Sequence, residues 1–220
     1  MDEETRRAEQ VLETLKAHFG VPQLVGVEND PFNLLVRTII SQSTAEANTQ
    51  RAYQNLSRKF SIEPKVLANA EIAEIEEALK VAGLHRNKAR VLKRVAAQVL
   101  EKFNGSLSFI HDLTMENARR ELMRLPGVGP KTADVLLLFS AQKPTLPVDT
   151  HVNRVSKRLN LVPMDAGYDV VRERLQKLYP PDEYLSVHLL FISLGRKYCR
   201  ALRPAHAVCP VRKFCPSAET

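Results

Sequence analysis

Apolar residues recur every three or four positions along most of the chain, which is the spacing of one face of an α-helix. In the first such stretch, Val11, Leu12 and Leu15 share a face with Phe19. No stretch alternates apolar and polar residues in the manner of a half-buried strand, so the pattern predicts an all-α fold. The predicted helices cover about residues 3–19, 31–41, 45–60, 64–69, 71–80, 85–103, 114–124, 132–140, 167–178 and 183–194, and another begins after Asp149.

Proline, glycine and short polar side chains mark where these helices start and stop. Asp30 followed by Pro31 is a typical helix start, and Gly83 is expected to be a C-cap. For the last long helix, Asp182 is expected to provide the N-cap and Gly195 to end the helix.

Residues 125–132 read Leu-Pro-Gly-Val-Gly-Pro-Lys-Thr and lie between two predicted helices. Gly127 and Gly129, on either side of Val128, tolerate positive φ and permit the close approach of another backbone. Pro130 suits the first position of the second helix, where a missing N–H costs nothing. The stretch therefore predicts a tight helix-turn-helix that presents N–H groups at the positive end of a helix dipole. Such a turn binds anions, and a phosphodiester of DNA or RNA would fit it.

Lys131 stands in the first turn of that second helix. Cations are favoured at helix C-termini, so the dipole at this position disfavours the ammonium form. A free amine is a candidate nucleophile. The alternative is a solvated lysine that contacts phosphate, because anion binding is the commoner use of such a turn.

Asp149 lies in the stretch 148–151, Val-Asp-Thr-His, directly before another helical pattern. An N-cap is its first interpretation. The helix over residues 130–140 is roughly 16 Å long, and residues 141–148 can span at most about 27 Å. The chain can therefore return and set Asp149 near Lys131, where a carboxylate could accept a proton or stabilise a developing cation.

The net charge of the chain indicates which class of partner it binds. The 220 residues carry a formal net charge of +7, and a basic protein of this size has nucleic acid or an anionic surface as its natural partner. Residues 78–100 contain six Lys or Arg and no Asp or Glu, which predicts a basic face. The acidic N-terminus has no apolar signal region, and no apolar run is long enough to span a membrane. We therefore expect a cytoplasmic protein without a membrane partner.

All three cysteines, Cys199, Cys209 and Cys215, fall in the last 22 residues. An odd count without a secretory signal argues against a disulfide framework and for metal binding in a reducing compartment. Together with His206 they give the spacing Cys-x6-His-x2-Cys-x5-Cys. Three Cys and one His form an ordinary structural zinc set. Residues 184–218 carry six Lys or Arg and no Asp or Glu, so a metal-pinned basic loop would hold backbone phosphates.

These motifs together resemble the endonuclease III family of helix-hairpin-helix DNA glycosylases and abasic-site lyases. The resemblance rests on Leu-Pro-Gly-Val-Gly-x-Lys-Thr-Ala, followed 18 residues after Lys131 by Asp149 in Val-Asp-Thr-His, and it extends from about Phe32 to Cys215. It implies base excision repair of double-stranded DNA that carries oxidised pyrimidines or abasic sites. Lys131 would attack C1′ of the deoxyribose and form a Schiff base, after which β-elimination breaks the strand. Asp149 would help to deprotonate Lys131 and stabilise positive charge on the sugar.

The resemblance also implies DNA contacts. Gln42, in a polar turn between helices, matches a glutamine that enters the duplex beside the flipped nucleotide. Leu84 would be a wedge that props open the base stack, and its alternative is a staple packed on the next helix. The family often has an acidic residue where this chain has Ala45. Four further residues would contact DNA: Gly127, Val128, Gly129 and His151.

The family holds a 4Fe-4S cluster in a similar loop with the spacing Cys-x6-Cys-x2-Cys-x5-Cys. This chain keeps the spacing but has His206 at the second position, which leaves three interpretations. In the first, His206 ligates the cluster, since imidazole can replace thiolate on cluster iron and tends to raise its potential. In the second, His206 stays outside a labile cluster or none forms. In the third, the loop holds zinc, although zinc ligands usually come in closer pairs.

The resemblance implies two helical domains with a DNA-binding cleft between them. A helical barrel would cover residues 23–143 and contain the helix-hairpin-helix, and an iron-sulfur cluster domain would cover residues 1–22 and 144–220. A monomer is expected, in the cytoplasm of a bacterium or archaeon and associated with the nucleoid through DNA. Two other functions stay open. The hairpin, basic faces and metal loop could belong to a non-catalytic DNA-binding module, or the glycosylase could act on a different damaged base.

Overall fold

The computed structural model describes residues 2–23 and 30–218. Every regular element in these ranges is a helix, which confirms the all-α prediction. The α-helices are, in chain order, α1 (Glu3–Phe19), α2 (Pro31–Ser41), α3 (Glu46–Lys59), α4 (Pro64–Asn69), α5 (Ile72–Ala78), α6 (His85–Phe103), α7 (Phe109–Asp112), α8 (Met115–Met123), α9 (Pro130–Phe139), α10 (Thr150–Arg158), α11 (Tyr168–Leu178) and α12 (Tyr184–Lys197). Within this described part of the chain, no helix has both the length and the apolar character that crossing a bilayer requires.

The chain divides into two compact units. The first, which we name the hairpin unit, comprises Gly26–Lys143 and contains α2 to α9. The second, the loop unit, comprises Met1–Val25 and Pro144–Thr220 and contains α1 and α10 to α12. Each unit has an apolar core of its own.

Helix α6 is the central element of the hairpin unit. It packs against α2, α4 and α5. The face that it buries has the helical spacing seen in the sequence, and each large apolar side chain removed from water contributes about 1.5–3 kcal/mol. The apolar residues of this face are Ala89, Val91, Leu92, Val95, Ala96 and Val99.

Helix α12 has the corresponding position in the loop unit, where it packs against α1 and α10. Val187, Leu190 and Phe191 lie on its buried side. Three short 3-10 helices follow it and form the C-terminal loop that carries the cysteines: His206–Val208, Arg212–Phe214 and Pro216–Ala218. The predicted metal loop is therefore an extension of the same unit that carries the helix after Asp149.

Some predicted helix ends are wrong. Asp182 lies inside a short 3-10 helix, and the residue before α12 is Glu183, which makes no side-chain cap bond. Gly195 lies within α12, which continues past it to Lys197. Gly83 does not cap α5, because that helix ends at Ala78. At Gly195 the glycine is explained by packing, because a Cβ there would lie 2.8 Å from His151.

Candidate active site and nucleic-acid interface

The predicted hairpin consists of α8, a tight turn and α9. In the turn, the Val128 N–H donates to the Leu125 carbonyl at 3.1 Å. Gly127 has a φ of +76°, and a Cβ at this position would lie 2.5 Å from Cγ1 of Val91 on α6. Both the backbone conformation and the lack of space require glycine here. The hairpin turn is therefore seated directly on α6.

The second helix of the hairpin starts at an open surface. Gly129 is the N-cap of α9, and nothing lies within 4 Å of the position that its Cβ would occupy. Pro130 is the first helical residue, as predicted, and the Ala133 N–H donates to the Gly129 carbonyl at 3.0 Å. The first turn of a helix presents N–H groups that its own backbone does not satisfy. The half-buried Lys131 lies in this turn, which has the features of an anion site.

A charged pair joins the two helices of the hairpin. Asp134 is fully buried in α9, one turn after Lys131, and accepts a hydrogen bond from Nε of Arg119 on α8 at 3.0 Å. Removal of one partner would leave a buried charge uncompensated, so the pair fixes α8 against α9. This pair is absent from the sequence predictions. The available signal was that Asp134 is the one charged residue in the apolar run 132–140.

Gln42 lies against the hairpin turn. Its exposed side chain follows α2, and its Nε2 donates to the Gly127 carbonyl at 3.3 Å. The Thr44 hydroxyl donates to the backbone carbonyl of Gln42 at 3.2 Å. The structure thus brings together two of the predicted DNA-contact residues, which lie 85 positions apart in the sequence.

Leu84 protrudes at the N-terminus of α6. The residue is 66% exposed, and its backbone is left-handed with a φ of +60°. A staple would be packed on its helix, so this exposure contradicts the staple interpretation. A left-handed, exposed leucine is unfavourable in both conformation and solvation. Next to it, a Cβ at Gly83 would lie 3.8 Å from the Ser43 carbonyl oxygen, so the Leu84 loop runs beside the turn that carries Gln42.

The basic face of α6 is smaller than the composition predicts. Lys88 is only 3% exposed, its Nζ contacts Oγ1 of Thr44, and burial lowers the pKa of its ammonium group. Lys93 is half-buried and donates to the Ala70 carbonyl. Both lysines therefore turn inward. The basic residues of α6 that remain exposed nearer its start are Arg86, Arg90 and Arg94.

Asp149, in the loop unit, is the N-cap of α10, as predicted. Its Oδ1 accepts hydrogen bonds from the backbone N–H groups of His151 at 2.8 Å and Val152 at 2.7 Å. Among residues 2–23 and 30–218, no hydrogen bond is formed by its Oδ2. The cap uses one carboxylate oxygen and leaves the other for a different role.

His151 is fixed in orientation by its neighbours. Its Nδ1 lies 3.0 Å from Nη2 of Arg154. A guanidinium can only donate, so Nδ1 accepts and the ring proton of the neutral imidazole is on Nε2. A Cβ at Gly195 would come within 2.8 Å of Nδ1, which explains why a glycine lies inside α12 at this point.

Two arginines of α10 hold the cysteine loop. Arg154 donates from Nε to the Cys199 carbonyl at 2.8 Å. Arg158 donates from Nη1 to Sγ of Cys199 at 3.5 Å and from Nη2 to the Ala201 carbonyl at 3.0 Å. The Cys215 thiol donates to the Arg158 carbonyl at 3.5 Å. These anchors are absent from the sequence predictions, because their partners are mostly backbone atoms distant in sequence.

The four predicted metal ligands line one cavity of the loop unit: Cys199, His206, Cys209 and Cys215. Burial raises the pKa of the Cys209 and Cys215 thiols, and the neighbouring cysteines raise it further. In the described ranges, no group of three His, Cys, Asp or Glu side chains is arranged to hold a single metal ion. The structure therefore brings the four predicted residues to one cavity.

Known proteins match this chain over most of its length. A family model described as HhH-GPD superfamily base excision DNA repair protein matches residues 36–181. Endonuclease III of Thermotoga maritima is 32% identical over 188 residues, which cover 86% of this chain and 84% of the relative. Endonuclease III of Bacillus subtilis is 32% identical over 193 residues, which cover 88% of this chain and 84% of the relative.

Solved structures match as well. A trapped endonuclease III–DNA covalent intermediate superposes with a TM-score of 0.86 at 30% identity and covers 100% of this chain and 98% of its own. A thermostable thymine-DNA glycosylase superposes with a TM-score of 0.81 at 18% identity, which shows the fold alone. With its hairpin and α10 geometry, the chain belongs to the HhH-GPD superfamily of base excision DNA repair proteins, and within it to the endonuclease III family of DNA glycosylases and abasic-site lyases.

Proposed function

We propose that this protein acts as a monomer on double-stranded DNA, removes oxidised pyrimidines and cleaves the strand through a lysine Schiff base. The observation that carries the proposal is the start of α9, where Lys131 stands beside an open glycine and a helix N-terminus. This arrangement sets an amine next to a surface suited to the phosphates of a DNA strand. A covalent DNA intermediate of one structural relative supports the same kind of step here.

In the proposed reaction, the lone pair of Lys131 Nζ attacks C1′ of the damaged nucleotide. The N-glycosidic bond breaks, and its electron pair leaves with the base, which takes up a proton. Nζ then gives up one proton, and the C1′–O4′ bond breaks with its electron pair on O4′, which takes up a proton. The product is an open sugar joined to Nζ as a protonated Schiff base at C1′. Loss of a proton from C2′ then expels the 3′ phosphate by β-elimination, and water hydrolyses the Schiff base to release Lys131.

Asp149 is proposed to accept the proton that Lys131 must lose before it attacks. Its Oδ1 is engaged by the two N–H groups of α10, whereas Oδ2 is outside the cap. A carboxylate held in this way is oriented by its own helix and also stabilises positive charge that develops on the sugar. His151, whose ring proton is on Nε2, is proposed to donate to the DNA backbone.

Gln42 and Leu84 are proposed to act when the damaged base leaves the stack. An enzyme that acts on a base inside a duplex must extrude it and pay for the lost stacking and pairing. The exposed Leu84 side chain is suited to take the place of stacked surface, and the Gln42 carboxamide can bond to the bases that remain. The hairpin residues Gly127, Val128 and Gly129 are proposed to hold the phosphate backbone during this step.

The cavity of the loop unit is proposed to hold a 4Fe-4S cluster, with His206 as its fourth ligand beside the three cysteines. The donor set fits this group because three cysteines and one histidine, residue types that ligate cluster iron, line one cavity. The Arg158 N–H that donates to Cys199 Sγ is also suited to a cluster-bound thiolate. When bound, the group supplies a cross-link that fixes the basic loop.

Borohydride trapping tests the proposed reaction. The protein is incubated with a duplex that carries one thymine glycol, with an abasic-site duplex and with an undamaged duplex. We expect a covalent adduct on the first two, with both adducts lost in Lys131→Gln while DNA affinity is retained. An adduct on the abasic duplex alone would keep the lyase and require another damaged base as substrate. Absence of any adduct, with DNA binding intact, would favour the non-catalytic module.

Metal and sulfide analysis tests the proposed cluster. We expect iron and acid-labile sulfide, about four of each per chain, in the purified protein. His206→Cys should retain the cluster and lower its reduction potential, whereas His206→Ala should lose iron faster to a chelator. Zinc without sulfide would contradict the cluster, and unchanged iron retention in His206→Ala would contradict His206 as a ligand.

A further inference from the structure

Lys88 is a buried lysine that the proposed reaction does not use. It lies in the first turn of α6, is 3% exposed and makes its side-chain contact with a neutral hydroxyl, Oγ1 of Thr44. Burying a cationic group costs free energy unless its partners compensate for the lost water. Methionine or leucine would fill a buried position of a helix without this cost. The position therefore calls for a role that an ammonium group can perform and an apolar group cannot.

Hydrogen bonds from Lys88 lead to three surface segments. Its backbone N–H donates to the Leu84 carbonyl at 3.0 Å, and its Nζ donates to Oγ1 of Thr44. The Thr44 hydroxyl donates in turn to the Gln42 carbonyl at 3.2 Å. The side chain of Gln42 then reaches the Gly127 carbonyl at 3.3 Å. The side chain of Lys88 is thus linked to the Gln42 turn and, through Gln42, to the hairpin turn. Its backbone joins the Leu84 loop by the bond that any residue at this helical position forms.

The direction of these bonds depends on the charged end of Lys88. A threonine hydroxyl carries one proton, so while Thr44 donates that proton to Gln42, any further hydrogen bond that it forms is as an acceptor. An ammonium group can only donate, and it polarises the hydroxyl in the direction of that bond. The same helix also seats the hairpin, because Val91 fills the space above Gly127. The first two turns of α6 therefore set the relative positions of all three segments.

We propose that Lys88 is a positioning residue for base extrusion, which holds the Gln42 turn and the Leu84 loop in a fixed relation to the hairpin. The inference rests on the proposed function, in which Gln42 and Leu84 act on the same base step. Two side chains on separate loops can act together only if their spacing is maintained, and a misplacement of about 1 Å can cost on the order of a hundredfold in rate. The buried Lys88 side chain is proposed to maintain the spacing between Gln42 and Leu84.

Three variants separate this role from general stability. Lys88→Met keeps a long side chain in a buried site and removes the donor. Thr44→Val removes the acceptor hydroxyl without changing Lys88. Lys93→Met is the matched control, because it removes a second inward lysine of α6 whose bond goes to Ala70 and not to the three segments.

Two rates and one spectroscopic signal are measured with the full-length protein. Single-turnover excision from a thymine glycol duplex requires base extrusion, whereas borohydride trapping on an abasic duplex has no base to extrude. In Lys88→Met and Thr44→Val we expect excision to fall roughly tenfold or more, as expected for the loss of a charge-assisted hydrogen bond. Trapping on the abasic duplex should change little. With Lys88→Met and Thr44→Val, a 2-aminopurine beside the lesion should show a smaller rise in fluorescence on binding. Lys93→Met should match the unchanged protein in all three measurements.

An equal loss of excision and abasic trapping, or no loss of either, would overturn the inference. If Lys88→Met does not fold, Thr44→Val decides alone, and normal excision by that variant would overturn it. Failure of the unchanged protein to trap either duplex would contradict the proposed function instead. In that case the fluorescence of 2-aminopurine in the bound duplex would still be measured for both Lys88→Met and the unchanged protein. Equal fluorescence from the two proteins would overturn the inference.

Discussion

Asp149 is the N-cap of α10 and the proposed proton acceptor for Lys131, and one carboxylate can perform both roles at once. As an N-cap it satisfies two backbone N–H groups of α10 with Oδ1 alone. As a proton acceptor it would use Oδ2. The sequence predicts both roles from one position, because a helical pattern follows directly and a lysine precedes it in the hairpin. A substitution of Asp149 that keeps the N-cap but removes the charge can therefore separate the two roles.

For Asp149→Asn we expect stability close to that of the unchanged protein and a large loss of excision. Asparagine caps as well as aspartate does, but it does not take a proton from an amine. Asp149→Ala should lose excision and also about 0.5–2 kcal/mol of unfolding free energy. Chemical denaturation and single-turnover excision measure the two effects. Normal excision by Asp149→Asn would contradict the proton-acceptor role.

Other single residues could not be predicted from the sequence. Lys88 lies in a run of basic residues and is expected on the surface, but it is buried because the turn after α2 covers the first turn of α6. Asp134 is paired with Arg119 across the hairpin, and the sequence does not indicate which arginine of α8 faces α9. The burial of one charged side chain depends on segments that lie elsewhere in the chain.

At the scale of elements, the hairpin shows two glycines kept for different reasons. Gly127 has positive φ and lies against Val91, whereas Gly129 has φ of −94° and open space around it. The first glycine is required by the fold of the protein itself. The second is suited to the close approach of a ligand backbone.

Alanine at each glycine should therefore have a different effect. Gly127→Ala should lower the free energy of unfolding by about 1–3 kcal/mol, because the left-handed conformation and the contact with Val91 both become unfavourable. Gly129→Ala should leave stability nearly unchanged and weaken DNA binding. Thermal unfolding and a DNA-binding titration distinguish them. Equal destabilisation by the two variants would contradict this division.

Helix positions were predictable because apolar periodicity persists over ten or more residues in most elements. Helix α6 and α1 have the predicted bounds, 85–103 and 3–19. The short helix α7 was not predicted, since four residues do not establish a period. Gly195 was expected to end α12, but α12 needs a small residue there because His151 packs against it. Packing between helices determines whether a glycine ends a helix or lies inside it, and the local sequence pattern does not reveal that packing.

On the scale of the whole molecule, the net charge of +7 is concentrated on particular surfaces. In the loop unit, the basic residues at the end of α12 and in the cysteine loop are exposed: Arg196, Lys197, Arg200, Arg203, Arg212 and Lys213. An all-helical fold and a DNA partner could both be read from sequence, because each depends on many residues. The identity of the metal at the four predicted ligands depends on only a few residues, so the sequence left its alternatives open.

Arg200→Ala and Lys213→Ala should each weaken binding to any DNA sequence. If each side chain neutralises one phosphate, the slope of log affinity against log salt should become less steep by about 0.9. Arg174→Ala is a suitable control, because Arg174 is already paired with Glu4. Affinity titrations over a range of salt measure the slopes. Slopes identical to that of the unchanged protein would show that the two residues do not face DNA phosphates.

The most direct test of the central claim is to locate the covalent bond. The borohydride-reduced adduct with an abasic-site duplex is digested with nuclease and trypsin, and the modified peptide is sequenced by mass spectrometry. We predict that the sugar remnant is attached to Lys131, in an otherwise missed cleavage between Lys131 and Thr132. A remnant on another lysine or on the N-terminal amine would contradict the assignment of Lys131 as the nucleophile.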